Sequence, residues 1–162
     1  MLLVADTSPL NYLVLIGYID ILPQLHQKVL IPSAVRRELL SLSAPISVRE
    51  WAVALPDWVE EIDPSPEYLN DPQLAALHDG ERAALALAAS RQPIFLLMDE
   101  WHARSIAIKK GFPVVGTLGV LDQAAHRKLL SFAEAIDKLK MTSFRYPASL
   151  VRRLLAEHDS NY

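Results

Sequence analysis

The residues of this sequence best suited to chemistry are four acids that stand where an apolar segment ends or a helix begins: Asp6, Glu38, Glu81 and Asp99. Asp6 directly follows the apolar segment Leu2–Ala5, and Asp99 follows the apolar residues 94–98. Because the carboxyl ends of neighbouring parallel strands meet at one crevice, we expect these two carboxylates to converge. Carboxylates that share a crevice repel one another unless cations hold them. The sequence therefore predicts a divalent-metal site.

The chemistry of such a site would be metal-assisted hydrolysis. Hard divalent cations such as Mg²⁺ and Mn²⁺ prefer carboxylate oxygens, and four carboxylates fit one or two ions. Positions would remain for a phosphodiester and an attacking water. The sequence contains no cysteine, which excludes a thiol nucleophile, zinc–thiolate sites, iron–sulfur clusters and disulfides. It also has no Ser-His pair at a recognisable nucleophile elbow, so covalent catalysis is disfavoured.

Each acid also has an ordinary structural interpretation, which the residues alone leave open. Asp6 and Asp99 could cap the helices that follow them. Glu81, in the first turn of a helix, would complement the helix dipole there. Glu38 lies within a helix, where a glutamate is usually a solvated surface residue. Only the joint placement of the four acids favours a shared site.

The elements that position these acids are short apolar runs alternating with amphipathic segments, which predicts an α/β fold with a parallel sheet. Strands are predicted at 2–5, 28–31, 94–98 and 113–115, with a weaker one at 58–62. Helices are predicted at 9–16, 18–25, 32–42, 47–55, 79–89, 100–110, 117–130, 131–141 and 147–158, the first of them capped by Ser8. Residues 63–71 are rich in proline and acids and predict an inserted or mobile loop.

The length of 162 residues predicts one domain spanning 1–162, with the C-terminal helices at 131–158 packed on it. The N-terminus lacks a basic leading segment, and no stretch approaches the roughly 20 apolar residues of a membrane helix. We therefore expect a cytoplasmic protein without a membrane partner. The net charge of −3 argues only weakly against nucleic-acid binding, because bound cations would reverse the local field of an acidic crevice.

Five segments, in the same order and spacing, resemble the motifs of the PIN-domain nucleases. They are residues 6–10 (DTSPL), 32–39 (PSAVRREL), 80–88 (GERAALALA), 96–100 (LLMDE) and 116–121 (GTLGVL). The last segment is similar to that of a PIN branch whose members are mostly of unassigned function. The resemblance covers roughly residues 1–130. It implies a three-layer α/β/α domain with a central parallel sheet.

The resemblance also implies an activity, a cofactor and partners. PIN nucleases of this kind are Mg²⁺- or Mn²⁺-dependent ribonucleases, often the homodimeric toxin of a type II toxin–antitoxin pair that an antitoxin protein silences. Carried onto this sequence, the metal-binding and catalytic residues are the four acids, and the supporting residues are Ser8 and Thr117. Two positions depart from the toxin pattern: Glu81 replaces the more common aspartate, and Met98-Asp99-Glu100 replaces Thr-x-Asp.

An RNA substrate also needs cations, and Arg82 and Arg104 are the preferred phosphate-binding candidates because each lies close in sequence to one of the acids. Pairing with nearby acids is their alternative role. Trp101, two residues beyond Asp99, would either stack on an unpaired base or pack against protein. The alternative function is a catalytically inactive PIN-like module that binds RNA or protein. An aspartyl-phosphate phosphatase is disfavoured because Ser8 stands where its second aspartate belongs.

Overall fold

Five strands form the centre of the fold in the computed structural model, which describes residues 1–91 and 95–160. They are β1 (Leu2–Ala5), β2 (Lys28–Ile31), β3 (Val59–Glu61), β4 (Phe95–Leu97) and β5 (Val114–Val115). All pair in parallel, in the order β3-β2-β1-β4-β5. Helices cover both faces of the sheet, which confirms the predicted three-layer α/β/α architecture.

The helices of the described residues lie between and after these strands. They are α1 (Thr7–Leu15), α2 (Leu22–Leu25), α3 (Ser33–Leu39), α4 (Ile46–Val53), α5 (Pro66–Leu69), α6 (Asp79–Ser90), α7 (Trp101–Lys109), α8 (Thr117–His126), α9 (Phe132–Lys140) and α10 (Ala148–Asp159). Two short 3₁₀ turns, Ile19–Ile21 and Pro72–Leu74, complete the list. No described helix is long and apolar enough to cross a membrane.

Strand β1 is the centre of the sheet, and its position fixes where Asp6 lies. Leu3 is in register with Val29 of β2 on one side and with Phe95 of β4 on the other. The apolar residues that follow in β1 are fully buried, as expected for a parallel strand covered by helices on both faces. The Asp6 N–H then donates to the Leu97 carbonyl at 3.0 Å. Asp6 is therefore held at the carboxyl edge, beside the end of β4.

The alternation of side chains along β1 divides the core into two layers. Leu3 and Ala5 belong to a cluster formed with α1, α3, α4, α8, α9 and α10, whereas Val4 belongs to a cluster formed with α6 and α7. The alanine-rich sequence of α6 lets that helix approach the sheet closely, and Ala84 and Ala88 are fully buried. Helices of both layers begin at the carboxyl edge, because they directly follow strands of the sheet.

Several helix ends differ from their predictions. Helix α1 begins at Thr7, because Asp6 has the extended backbone of an N-cap residue, so the predicted cap Ser8 lies inside the helix. Helix α3 ends at Leu39, and Leu42, predicted as its last apolar residue, is exposed. Helix α8 ends at His126, because Lys128 adopts a left-handed backbone (φ 60°) that breaks the predicted continuation to residue 130.

The predicted loop at 63–71 is partly wrong, because it contains helix α5. Its last residue, Asp71, accepts a hydrogen bond from the Lys110 ammonium at 2.7 Å, which ties the segment to the end of α7. This bond holds the pKa of Asp71 below its usual value. The prediction that Pro93 ends the preceding helix and that Ile94 begins β4 lies outside the described residues.

Candidate active site

The carboxyl edge of the sheet brings the four predicted acids together. Asp6 follows β1, Asp99 lies two residues after β4, Glu38 belongs to α3 and Glu81 is the third residue of α6. The negative charges of Glu81, Glu38 and Asp99 all act on the Asp6 carboxyl group. Four segments that are far apart in the sequence therefore place their acids at one edge of the sheet, which we call the acidic site.

Asp6 is the most buried of the four acids, with 3% of its surface exposed. Its Oδ1 atom is buried and has no hydrogen-bond partner. Burial first, and then the charges of Glu81, Glu38 and Asp99, raise the pKa of Asp6 from 3.8 to about 7, against the opposing backbone hydrogen bond from Thr7. A buried carboxylate that is surrounded by acids and has a free oxygen is suited to receive a cation.

Glu38 is held in place by groups from two other elements. Its Oε1 accepts a hydrogen bond from the Gly80 N–H of α6 at 3.0 Å, and its Oε2 accepts one from the Thr7 hydroxyl of α1. A Cβ atom added to Gly80 would lie 2.5 Å from Glu38 Oε2. Glycine at position 80 is therefore what lets the helix backbone approach this carboxylate. Glu38 is a fixed group and not a freely solvated one.

Glu81 combines two roles that the sequence leaves as alternatives. Its Oε2 accepts a hydrogen bond from the His78 N–H at 3.2 Å, which completes a capping box at the start of α6. Burial raises the pKa of Glu81, and the charges of Glu100 and Glu38 add to that effect. The residue therefore caps its helix while its charge contributes to the acidic site.

Asp99 is held by Thr117, the first residue of α8. The Thr117 N–H donates to Asp99 Oδ1 at 2.8 Å and its hydroxyl donates to Oδ2 at 2.6 Å, and Thr117 itself is fully buried. Burial raises the pKa of Asp99, and the two hydrogen bonds from Thr117 oppose that shift. Asp99 does not cap α7, because Glu100 does so by accepting from the Ala103 N–H at 2.7 Å. The capping alternative for Asp99 is wrong, and Glu100 is engaged as a cap.

Two of the cavities that the acids line bear on the proposed chemistry. The first, which we call the acid pocket, measures about 380 Å³ and is lined by Asp6, Thr7, Ser8, Asn11, Tyr12, Glu38, His78 and Glu81. The second, the Asp99 pocket, measures about 430 Å³ and its polar lining residues include Arg104, Asp122 and Arg145. Tyr12 of the first and Phe144 of the second are in edge-to-face contact, with ring centroids 5.0 Å apart. The two cavities are thus neighbours.

The arginines differ in how free they are to meet a substrate. Arg104 lines the Asp99 pocket, donates to the Met98 carbonyl at 2.8 Å and lowers the pKa of Asp99 by its charge. Arg82 instead pairs with Asp79 of its own helix at 3.2 Å. Arg145 also lines the Asp99 pocket, but it was not among the phosphate-binding residues predicted from the sequence. Its only local signal is its position between the aromatic residues Phe144 and Tyr146.

The donor set of the site fits a hard divalent cation. All four candidate ligands are carboxylates, and hard oxygen ligands are those that Mg²⁺ and Mn²⁺ prefer. No salt bridge found among residues 1–91 and 95–160 involves any of the four. The unpartnered Oδ1 of Asp6 is a buried acceptor that such an ion would satisfy. That the four acids bind a metal ion stays a prediction, and this arrangement supports it.

Comparison with known proteins gives one family. The sequence profile of DUF3368, described as a PIN domain, matches residues 2–160, which is almost the whole chain. Neither a curated protein nor a solved structure matches the chain significantly.

Proposed function

This chain belongs to the PIN-domain family, a nuclease-type fold, and from that membership we propose that it is a Mg²⁺- or Mn²⁺-dependent endoribonuclease. The observation that carries the proposal is the state of Asp6. Its carboxyl group is buried beside three other acids, and one of its oxygens has no partner. A divalent cation at this point would compensate the repulsion and supply the charge that phosphodiester hydrolysis requires.

Asp6, Glu38, Glu81 and Asp99 are the residues that would hold the cation. When bound, the ion supplies Lewis-acid activation of a water and stabilises the charge that develops on the leaving oxygen. The protein's own contribution is to fix the ligands before substrate arrives. Thr117 holds both oxygens of Asp99, and the Gly80 N–H holds Glu38. Such supporting hydrogen bonds orient ligands and strengthen metal sites.

The Asp99 pocket supplies the features that single-stranded RNA needs. Arg104 and Arg145 line it and offer donors that suit phosphate oxygens. Phe144, which lines the same cavity, is an aromatic surface against which an unpaired base can stack. Asp99 lines the same pocket, so an acid, two arginines and an aromatic ring share one cavity. This arrangement supports RNA as the substrate.

A toxin role is a finer proposal, supported by the resemblance of the sequence motifs to the PIN toxins. In that role the protein acts in the cytoplasm as a homodimer, and an antitoxin protein covers the acidic site. Induced expression of the wild-type chain should then arrest growth, and expression of Asp6→Asn should not. Equal growth with both would contradict the toxin role and leave the nuclease proposal standing.

The experiment that tests the nuclease proposal is cleavage of mixed RNA in Mn²⁺ and in EDTA. We compare the wild type with Asp6→Asn, which keeps the side-chain shape and removes the charge, and with Asp57→Asn, a matched change at an exposed acid. Wild type and Asp57→Asn should cleave only with Mn²⁺. The rate of Mn²⁺-dependent cleavage by Asp6→Asn should be lower by about 100-fold or more. Loss of a residue that only orients a metal ligand already costs about 10- to 100-fold, and Asp6 is a ligand itself.

Two results would contradict the proposal. A folded wild type that neither cleaves RNA nor binds Mn²⁺ would point to the catalytically inactive binding module. Cleavage of equal rate in wild type and Asp6→Asn would identify a contaminating nuclease.

A further inference from the structure

A second group of metal-ligating side chains lies outside the acidic site, where α10 packs against α8. It consists of Asp122 and His126, one turn apart on α8, and His158 near the end of α10. We call it the histidine cluster. One ligand atom from each residue lies within 4.8 Å of the other two. The three side chains therefore point to a common centre.

The contacts within the histidine cluster are already close to those of a metal site. His158 Nε2 lies 2.8 Å and His126 Nδ1 lies 3.4 Å from Asp122 Oδ1. Ligands of a tetrahedral Zn²⁺ ion, with bonds of about 2.1 Å, stand about 3.4 Å apart. An ion at the centre would replace direct contacts between the side chains by bonds to the metal, with shifts of about an ångström.

The environment fixes one imidazole and leaves the other adjustable. The side chain of His158 is 13% exposed and stacks on Phe132, with ring centroids 4.8 Å apart. The side chain of His126 is 52% exposed, and its Nδ1 lies 2.9 Å from the Asp122 carbonyl oxygen. His126 can therefore exchange that contact for an ion while His158 and Asp122 keep their positions.

We propose that the histidine cluster is a second metal site, which takes a transition-metal ion of the Zn²⁺ class. Two imidazoles and one carboxylate are ligands that suit Zn²⁺, Co²⁺ or Ni²⁺, and not the all-oxygen preference of Mg²⁺. The proposal is independent of the nuclease function, since it shares no ligand with the four acids.

Binding at this site would fasten α10 to α8. Both helices contribute to the Asp99 pocket, because Asp122 of α8 and Leu150 and Leu154 of α10 line it. An ion shared by the two helices would therefore fix one wall of that cavity. The expected effect on the protein is a higher melting temperature in Zn²⁺.

The test is calorimetric titration of Zn²⁺ into the metal-free full-length protein, together with its melting temperature with and without Zn²⁺. His126→Gln and His158→Gln each remove one ligand, and His102→Gln is the control, because His102 is an exposed histidine of α7. With the acidic site saturated by Mg²⁺, wild type and His102→Gln should bind one Zn²⁺ per chain and melt at a higher temperature with it. Both cluster variants should bind Zn²⁺ at least about tenfold more weakly.

Two further measurements make the result specific. Co²⁺ in wild type should give the visible absorption of a tetrahedral ion, and His126→Gln should lack it. Asp6→Asn should keep the Zn²⁺ ion that His126→Gln loses. Unchanged Zn²⁺ affinity in His126→Gln and His158→Gln, or loss of Zn²⁺ binding in Asp6→Asn alone, would overturn the proposal. His126→Gln and His158→Gln are independent variants, so unfolding of one leaves the other as the test.

Discussion

The acidic site and the histidine cluster both gather side chains that can bind metal, but they differ in the partners that their carboxylates have without an ion. In the histidine cluster one carboxylate, Asp122, faces two imidazoles that contact it directly. In the acidic site Asp6 faces other carboxylates, and no described arginine or lysine pairs with it. The first arrangement is satisfied on its own, whereas the second carries an unfavourable free energy that a cation would relieve. Such uncompensated groups are typical of functional sites.

The largest expected difference between the two regions is in the pH dependence of folding. The folded protein binds a proton at Asp6 more tightly than the unfolded chain, because the pKa rises from 3.8 to about 7. The free energy of unfolding without metal should therefore fall as the pH rises through this interval, by about 4 kcal/mol at most from Asp6. Urea unfolding in EDTA at pH 5 and pH 8 measures the part of this change above pH 5, about 2.6 kcal/mol.

Asp6→Asn is the comparison that isolates Asp6 from other groups. The raised pKa values of Glu81 and Asp99 act in the same direction, and the lowered pKa of the buried His26 acts in the opposite one. The variant should be more stable than wild type at pH 8 and should show a shallower decline. If the free energy of unfolding fell equally with pH in the two proteins, ionisation of Asp6 would not destabilise the fold.

Mn²⁺ should separate the two regions at constant pH. At a Mn²⁺ concentration 100 times its dissociation constant, a single site gains about 2.7 kcal/mol of stability. We expect this gain at pH 8 in wild type and in His126→Gln, and not in Asp6→Asn. Thermal unfolding with and without Mn²⁺ measures it. A gain lost in His126→Gln and kept in Asp6→Asn would reverse the assignment of the two sites.

Thr117→Val should have a smaller effect that is confined to the acidic site. The variant keeps the side-chain shape and removes the hydroxyl that donates to Asp99 Oδ2, while the backbone N–H bond to Oδ1 remains. Mn²⁺ affinity should fall about tenfold, and Thr117→Ser should retain it. Equal affinity in wild type and Thr117→Val, measured by titration, would show that this hydroxyl does not orient the ligand.

The smallest effect is expected in the histidine cluster without metal. His126 is half-exposed and contacts Asp122 one helical turn away. Removing such a surface pair should change the free energy of unfolding by less than about 1 kcal/mol. Denaturant unfolding of His126→Gln in EDTA measures this. A loss several times larger would mean that the cluster holds α10 in place without an ion.

The sequence correctly predicts those parts of the fold that local residue patterns determine. Strand β2 has the predicted bounds, because a run of four residues that ends before Pro32 is too short for a helix. The predicted start of α6 is also correct, because acidic residues in the first turn mark the beginning of a helix. The predicted start of α1 is wrong. Ser8-Pro9 resembles a local N-cap signal, but the register of β1 makes Asp6 the N-cap.

The support around the acids could not be predicted from local patterns. The contacts of Glu38 with Gly80 and of Asp99 with Thr117 join segments far apart in the chain. In the sequence, only the resemblance to PIN nucleases gives Thr117 a supporting role at the acidic site, since its local pattern predicts no more than a helix cap. The histidine cluster gave no signal, because His158 meets His126 through the packing of α10 on α8 and not through sequence spacing.

The central position of β1 also has a consequence for the order in which the protein becomes competent during synthesis. Leu3 pairs with Phe95, and Asp99 is held in place only once Thr117 has been added. Contacts between such distant segments form late, because the intervening chain must be closed into a loop first. We therefore expect a growing chain on the ribosome to lack a complete acidic site until most of it has emerged. The proposed ribonuclease would then stay inert while it is surrounded by the RNA of the ribosome that makes it.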